Sequence, residues 1–140
     1  MNRFHSSFHR SVLLVSIIGA MASCHGQNDL TGPVSAPSTA TVEIRSIGFD
    51  RTLVIVAPGG RVTFRNRDTV SHQIASNVHP DHQQCPQLNS PLLAAGESFT
   101  ATMSQEDHRS CGFHDEQRLN EPGFRGTVDV CLEFSLFGCG

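Results

Sequence analysis

Residues 57–68 read APGGRVTFRNRD and carry the clearest structural signal in the chain. The Pro-Gly-Gly stretch predicts a turn, because proline fixes its own φ and glycine tolerates positive φ. Polar and apolar residues then alternate, with Val62 and Phe64 on the same side. A period of two residues is typical of a half-buried β-strand. We therefore predict a strand at residues 61–66 that ends in a second turn at residues 66–68.

Strand patterns also lie on both sides of this segment. Residues 77–95 carry three prolines and predict a long excursion between strands, and no stretch has the period of an amphipathic helix. Short strands at this spacing predict an all-β sandwich or barrel. Further strands are predicted at residues 41–45, 51–57, 72–76, 98–103 and 126–134, and residues 111–114 are expected to lie in the loop before the last strand.

The composition narrows the possible classes of function. The chain has 140 residues and a net charge of −3, so it has no basic field for nucleic acid, and without Trp or Tyr it offers few aromatic side chains on which bases could stack. It has 8 histidines, and histidine is the commonest metal ligand. The sequence contains no Gly-x-Ser-x-Gly motif, no His-Glu-x-x-His motif and no glycine-rich nucleotide loop. We therefore expect a binding protein or an electron carrier and not an enzyme.

The first 23 residues predict an export signal. Arg3 and Arg10 precede an apolar run at residues 12–22, and small residues then lead to Cys24. This arrangement resembles the lipobox of bacterial lipoproteins, which implies cleavage before Cys24 and a lipid on its sulfur. The expected location is the cell envelope, with the protein anchored by lipid to the outer membrane and facing the periplasm or the exterior. The alternative is a plain secretory signal with an unmodified cysteine.

The remaining chain divides into three predicted parts. Residues 24–40 are rich in Gly, Pro, Ser and Thr and predict a flexible tether. Residues 41–134 form the predicted β domain, and residues 135–140 form a C-terminal tail. Besides Cys24 the chain has four cysteines, for which an oxidising compartment permits three pairings. The simplest interpretation of Cys131 and Cys139 is a disulfide that closes a short C-terminal loop.

A family resemblance rests on five short motifs that occur in one order along the domain. The chain resembles the cupredoxins, the plastocyanin-like copper proteins. The resemblance implies a Greek-key β-sandwich that binds one copper ion through His72, Cys111 and His114. Two imidazoles and a thiolate are the ligands of a blue-copper electron-transfer site. The five motifs are a Pro-Gly turn with Val-x-Phe at residues 57–64, an Asn-to-His stretch at 66–72, Gly-Glu-Ser-Phe within 95–99, Cys-x-x-His at 111–114 and a closing strand at 126–130.

Two departures from the family pattern keep other ligand sets open. No axial methionine follows His114, and an additional cysteine, Cys85, stands in the sequence HPDHQQCP at residues 79–86. A disulfide between Cys85 and Cys111 would remove the thiolate. The copper site would then consist of His72 and His114, with His79 or His82 as possible additional ligands. We also expect that Asp115 could accept a hydrogen bond from an imidazole.

Three functions are therefore considered from the sequence. The first is one-electron transfer in the cell envelope by a copper–thiolate site, with a redox partner protein. The second is copper binding or delivery through histidines alone, with a copper donor as partner and Cys111 in a disulfide. The third is an interaction domain that keeps the fold and binds no metal. The sequence names no partner for any of them.

Overall fold

The computed structural model describes residues 34–106, 108–135 and 138–139. The predicted signal peptide, Cys24 and residues 24–33 of the predicted tether lie outside these residues. No helix in the described ranges has the length and apolar character needed to cross a membrane. The strands are β1 (Val34–Ser35), β2 (Thr39–Arg45), β3 (Gly48–Phe49), β4 (Leu53–Val56), β5 (Arg61–Asn66), β6 (Ile74–Ser76), β7 (Ser98–Thr102), β8 (Arg109–Asp115), β9 (Arg125–Val130), β10 (Glu133–Ser135) and β11 (Gly138–Cys139). Three short 3-10 turns lie at Pro86–Leu88, Glu116–Arg118 and Pro122–Phe124.

Two four-stranded sheets form the body of the domain. One has the strand order β3-β2-β5-β7 and the other has the order β4-β9-β8-β6. The β2–β5 and β4–β9 pairs are parallel and the other neighbours are antiparallel, so the chain crosses repeatedly between the sheets. The prediction of an all-β sandwich is confirmed.

The core lies between the inner faces of these two sheets. Each strand contributes alternate residues to it, as β5 does with Val62 and Phe64. Phe113 of β8 lies at the centre, with ring centroids 5.2 Å from Phe49 and 5.1 Å from Phe64. The aromatic contacts join residues from both sheets into one apolar cluster. This cluster fixes the position of β8, which carries part of the candidate site.

A small third sheet adds residues that were predicted to lie outside the domain. β1 pairs with β10, and β10 pairs with β11. Val34–Ser35 lies within the predicted tether and Gly138–Cys139 within the predicted tail. The Cys131–Cys139 disulfide, with a Cα–Cα distance of 5.7 Å, holds β11 beside β10. The sequence did not predict these pairings, because a strand of two residues is too short to show alternation of polar and apolar residues.

The main error in the predicted strands concerns residues 111–114, which were expected to form a loop. They lie within β8, which pairs with β9 on one edge and with β6 on the other. A central strand is buried on both faces and need not alternate in polarity. Successive side chains still point to opposite faces, so Cys111 and Phe113 face the core while His114 faces outward.

Candidate metal centre

Four side chains form a compact group on the outer face of the sandwich. His79, His82, His114 and Glu116 each place one potential ligand atom within 4.8 Å of the others. Glu116 Oε1 lies 2.7 Å from His114 Nε2, 2.8 Å from His82 Nε2 and 3.4 Å from His79 Nδ1. Imidazole nitrogens and a carboxylate oxygen form a donor set that suits Cu(II) and Zn(II). We call these four residues the histidine cluster.

Two neighbouring strands bring the cluster together. β6 pairs with β8 so that Ala75 lies opposite His114. The chain leaves β6 into the loop that carries His79 and His82, and it leaves β8 into the turn that begins at Glu116. Strand pairing therefore aligns two segments that are distant in sequence. The pairing is antiparallel and β6 has only three residues, so the loop that leaves β6 begins opposite Phe113, one residue from His114.

The loop after β6 folds back on itself to place two histidines together. The His82 amide donates to the Val78 carbonyl at 2.7 Å, and His79 Nδ1 lies 3.2 Å from His82 Nε2. His82 has a φ of 51°. This left-handed conformation costs a non-glycine residue about 1–2 kcal/mol. Backbone strain of this kind is concentrated at functional sites, where the surrounding structure maintains it.

Asn77 orients the imidazole of His114. His114 Nδ1 lies 2.9 Å from Asn77 Oδ1, so the Nδ1–H donates to the amide oxygen. Nε2 is then the ring nitrogen that faces Glu116 and the cluster, and it is the nitrogen that would bind a metal ion in place of its hydrogen bond to Glu116. Gly112 makes room for this contact, because a Cβ at residue 112 would overlap Asn77 Nδ2.

The electrostatics of the cluster favour an ionised carboxylate. Burial is the largest single influence on the pKa of Glu116 and raises it. The hydrogen bond from His114, the charge of His82 and the hydrogen bond from His79 together outweigh burial and lower the pKa below its usual value. Metal ligands must be deprotonated, so this environment prepares Glu116 to bind a cation.

The cluster is accessible from solvent. The His79 side chain is 47% exposed, whereas that of His114 is only 6% exposed. A surface depression of about 640 Å³ lies beside them, lined by Asn77, Val78, His79 and His114 among others. An ion can therefore enter from the His79 side and still rest against the rigid strand that carries His114.

The structure places the predicted thiolate ligand in a disulfide, the alternative that the sequence left open. Cys111 forms a disulfide with Cys85, with a Cα–Cα distance of 5.8 Å, and both residues are fully buried. A disulfide sulfur carries no thiolate, so Cys111 is not a copper ligand in this structure. The two pairings considered from the sequence, Cys85–Cys111 and Cys131–Cys139, are both present.

The structure also places His72 outside the histidine cluster. Its Nδ1 lies 2.5 Å from Asp115 Oδ2, its Nε2 lies 3.3 Å from Asp68 Oδ2, and its ring stacks on Phe124. Asp115 follows His114 directly on β8, and adjacent strand residues point to opposite faces. His72 is therefore a buried core residue, and the predicted set of His72, Cys111 and His114 is not formed. Asp115 was expected to accept a hydrogen bond from an imidazole, and the imidazole beside it in the structure is that of His72.

Three of the four cluster residues were predicted as ligands from the sequence, and Glu116 was not. His114 was a primary candidate, and His79 and His82 were possible additional ligands. Glu116 lies two residues after His114, where β8 has just ended, and no local pattern distinguishes it from an exposed surface acid. The available signal was its position beside a His-Asp pair in a chain rich in histidine.

Comparison with known proteins identifies the fold. No protein-family model matches the chain, and no curated protein sequence matches it. Solved structures do match, among them a purple cupredoxin from Nitrosopumilus maritimus with 21% identity and a TM-score of 0.51, covering 65% of this chain and 98% of that one. Oxidised plastocyanin from Dryopteris crassirhizoma gives 19% identity and a TM-score of 0.53, covering 65% and 99%.

A third neighbour is dithionite-reduced auracyanin from Roseiflexus castenholzii, with 18% identity and a TM-score of 0.52, covering 69% of this chain and 98% of that one. These neighbours share the cupredoxin architecture, although their sequences are far from this one. The sequence-based resemblance to cupredoxins is confirmed at the level of structure. The two packed sheets of this chain therefore have the cupredoxin fold.

Proposed function

We propose that this chain is a copper-binding protein that holds one Cu(II) ion in the histidine cluster. The observation that carries the proposal is the convergence of three imidazoles and one carboxylate within 4.8 Å, on a rigid strand and a closed turn. Two of these groups, His114 and Glu116, are already oriented by Asn77 and by neighbouring histidines. Such preorganisation lowers the cost of binding.

Donor chemistry favours copper over other common divalent ions. Binding sites of nitrogen and oxygen ligands follow the Irving–Williams order, in which Cu(II) exceeds Zn(II) and Ni(II). An amicyanin variant of the same fold has been described in a Cu(I) form. When bound, the ion would supply a redox-active or exchangeable centre. The chain's own contribution is to hold the four ligands and to leave one side open.

We favour copper binding or delivery over electron transfer by a blue-copper centre. A blue-copper site needs a thiolate ligand. Cys111, the residue predicted to supply it, is joined to Cys85 in a disulfide. Histidine ligands with an open side suit an ion that must be taken up and passed on. One-electron transfer and a metal-free interaction domain stay as alternatives that the same experiment separates.

The test is Cu(II) binding by calorimetry and electron paramagnetic resonance. We expect one ion per chain, nitrogen coupling in the spectrum and none of the intense visible absorption of a copper–thiolate bond. The His82→Gln and His114→Gln variants should each bind at least about tenfold more weakly, since even groups behind the ligands change metal affinity about 10–100-fold. His108→Gln, outside the cluster, serves as the matched control.

Three results would contradict this proposal. Intense copper–thiolate absorption would favour the electron carrier, and it would require a free Cys111. Unchanged affinity in the His114→Gln variant would place the ion elsewhere. Absence of binding to the oxidised wild-type chain would favour the interaction domain.

We further propose that the protein works in the bacterial envelope, anchored by a lipid on Cys24 and exchanging copper with a protein partner there. The export signal and lipobox-like sequence support this location. So do the two disulfides, because disulfides persist in oxidising compartments. The Cys24→Ser variant, expressed in a bacterium, should move from the membrane to the soluble fraction. Retention in the membrane fraction would remove the lipid from the proposal.

A further inference from the structure

We propose that the Cys85–Cys111 disulfide positions the histidine cluster, so that the oxidised chain binds metal and reduction of this bond releases it. The inference rests on the proposed function, since it concerns the same site. It adds a form of control that neither the fold nor the ligand set implies.

The disulfide lies between the two segments that supply the ligands. Cys85 is three residues after His82 in the loop, and Cys111 is three residues before His114 on β8. The covalent link holds the two Cα atoms 5.8 Å apart. It therefore limits how far the loop histidines can move from His114, which the sheet keeps in place.

The loop has little else to hold it. Within residues 77–84 no residue is buried, and burial begins only at Cys85. The remaining attachments are hydrogen bonds, and the His82 carbonyl accepts two of them, from the buried Ser76 hydroxyl and from Asn89 Nδ2. Asn77 N donates to the Gly112 carbonyl, the Gly112 amide donates to Gln84 Oε1, and Arg109 donates to the Gln84 carbonyl. A segment with few buried apolar contacts and exposed hydrogen bonds opens locally at low free energy.

Reduction and metal release share one motion. Both sulfurs are fully buried, so a reductant reaches them only after the loop has moved away from β8. A dithiol then attacks one sulfur, and its second thiol displaces the protein, which leaves two protein thiols and a cyclic disulfide of the reductant. The same opening separates His79 and His82 from His114. A bound ion that bridges the loop and β8 must therefore oppose reduction.

The coupling is reciprocal by thermodynamic linkage. If oxidation strengthens metal binding by some factor, bound metal stabilises the disulfide by the same factor. Coupling factors between sites in proteins are commonly about 5–150-fold. We expect a value within this range, because the disulfide and the ligands lie in the same two segments.

The first test uses variants of the full chain that carry no sulfur at the site. Cys85→Ser/Cys111→Ser should bind Zn(II), a probe that is not reduced, at least about fivefold more weakly than wild type. The matched control, Cys131→Ser/Cys139→Ser, removes the other disulfide and should keep wild-type affinity. Equal affinity in Cys85→Ser/Cys111→Ser and wild type would overturn the inference. Loss of affinity in both double variants to the same extent would also overturn it.

The second test uses the wild-type chain and is independent of how the variants fold. A water-soluble phosphine reduces disulfides, becomes a phosphine oxide with oxygen from water, and carries no thiol to compete for the ion. Saturating Zn(II) should lower the fraction of reduced Cys85–Cys111 at a fixed phosphine exposure, measured by thiol alkylation and mass spectrometry. The Cys131–Cys139 bond should not respond to Zn(II). Equal protection of the two bonds, or of neither, would overturn the inference.

A third chain separates this inference from the proposed function. In His82→Gln/His114→Gln, Zn(II) should give the Cys85–Cys111 bond no protection, and protection there would count against a role for the cluster. If wild type binds no metal at all, the proposed function fails. If wild type and Cys85→Ser/Cys111→Ser bind metal equally well, the function stands and only the redox coupling fails.

Discussion

The Asp115→Asn substitution tests whether His72 supports the fold and not the metal. Asp115 Oδ2 lies 2.5 Å from His72 Nδ1, while Oδ1 accepts from the amides of Gln73 at 3.2 Å and Gln117 at 3.0 Å. The Asp115 and His72 side chains are completely buried. Asparagine keeps the volume and one carbonyl oxygen for the amides, but its NH₂ group then faces His72. Leaving a buried hydrogen-bonding group without its partner costs about 1–3 kcal/mol, and we expect the upper end, about 3 kcal/mol, because both side chains are completely buried.

Urea unfolding followed by circular dichroism measures this loss. The midpoint should fall while the slope with denaturant stays constant, since the surface exposed on unfolding is unchanged. In a domain of this size, 3 kcal/mol corresponds to a decrease in Tm of about 12–24 °C. Asp129→Asn, on the partly exposed face of β9, is the control and should stay within about 0.5 kcal/mol of wild type. A loss below about 1 kcal/mol for Asp115→Asn would refute the structural role of the pair.

Three further substitutions probe the core, the cluster and its charge. Phe113→Ala should lower the free energy of unfolding by about 3–5 kcal/mol in a urea titration, because the ring fills the centre of the core. Gly112→Ala should weaken Cu(II) binding by about tenfold in calorimetry, because its Cβ displaces Asn77 from His114; unchanged affinity would contradict this role. The pKa of Glu116 is lowered in the folded chain, so its ionised form adds stability above the unfolded pKa of about 4.3, and that stability is lost as the pH falls through the folded value. In the metal-free protein, Glu116→Gln should therefore be less stable than wild type near pH 6 and equal to it near pH 3, and a difference that persists in acid would contradict this assignment.

A strand can be predicted from the sequence when one of its faces is buried and the other is exposed to solvent, because polar and apolar residues then alternate. Arg61–Asn66 was predicted with its observed bounds, because arginine and threonine alternate with valine and phenylalanine. Arg109–Asp115 was missed for the opposite reason. This strand pairs on both edges and is buried on both faces over most of its length. Its polar side chains form hydrogen bonds within the protein, so their polarity does not show which face of the strand is exposed to solvent.

That strand also explains why His72, Cys111 and His114 do not come together in the structure. In a loop, Cys111 and His114 could turn toward one ion, as the Cys-x-x-His motif implies in cupredoxins. In a regular strand, residues three apart point to opposite faces. Cys111 therefore enters the core, where Cys85 meets it, and His114 faces outward. The motif is intact as a sequence, but the local backbone assigns its two members to different surroundings.

The rest of the cluster depends on contacts between distant segments, which no local pattern reports. His79 and His82 were recognisable as two histidines separated by a proline and an aspartate. Their approach to Glu116 follows from the pairing of β6 with β8 and from the turn that His82 closes. Sequence alone could therefore suggest candidate ligands, but it could not choose among them.

The small sheet of β1, β10 and β11 determines which end of the domain the preceding chain approaches. Along the paired strands β8 and β9, Arg109 lies opposite Val130, next to the start of the small sheet, whereas His114 lies opposite Arg125. Five strand residues at about 3.4 Å each separate these two ends by about 17 Å. A lipid, a fusion partner or a surface linker joined ahead of Val34 would therefore hold the domain by one pole. The histidine cluster at the other pole would then face away from the attachment point and toward molecules that diffuse in the surrounding solvent.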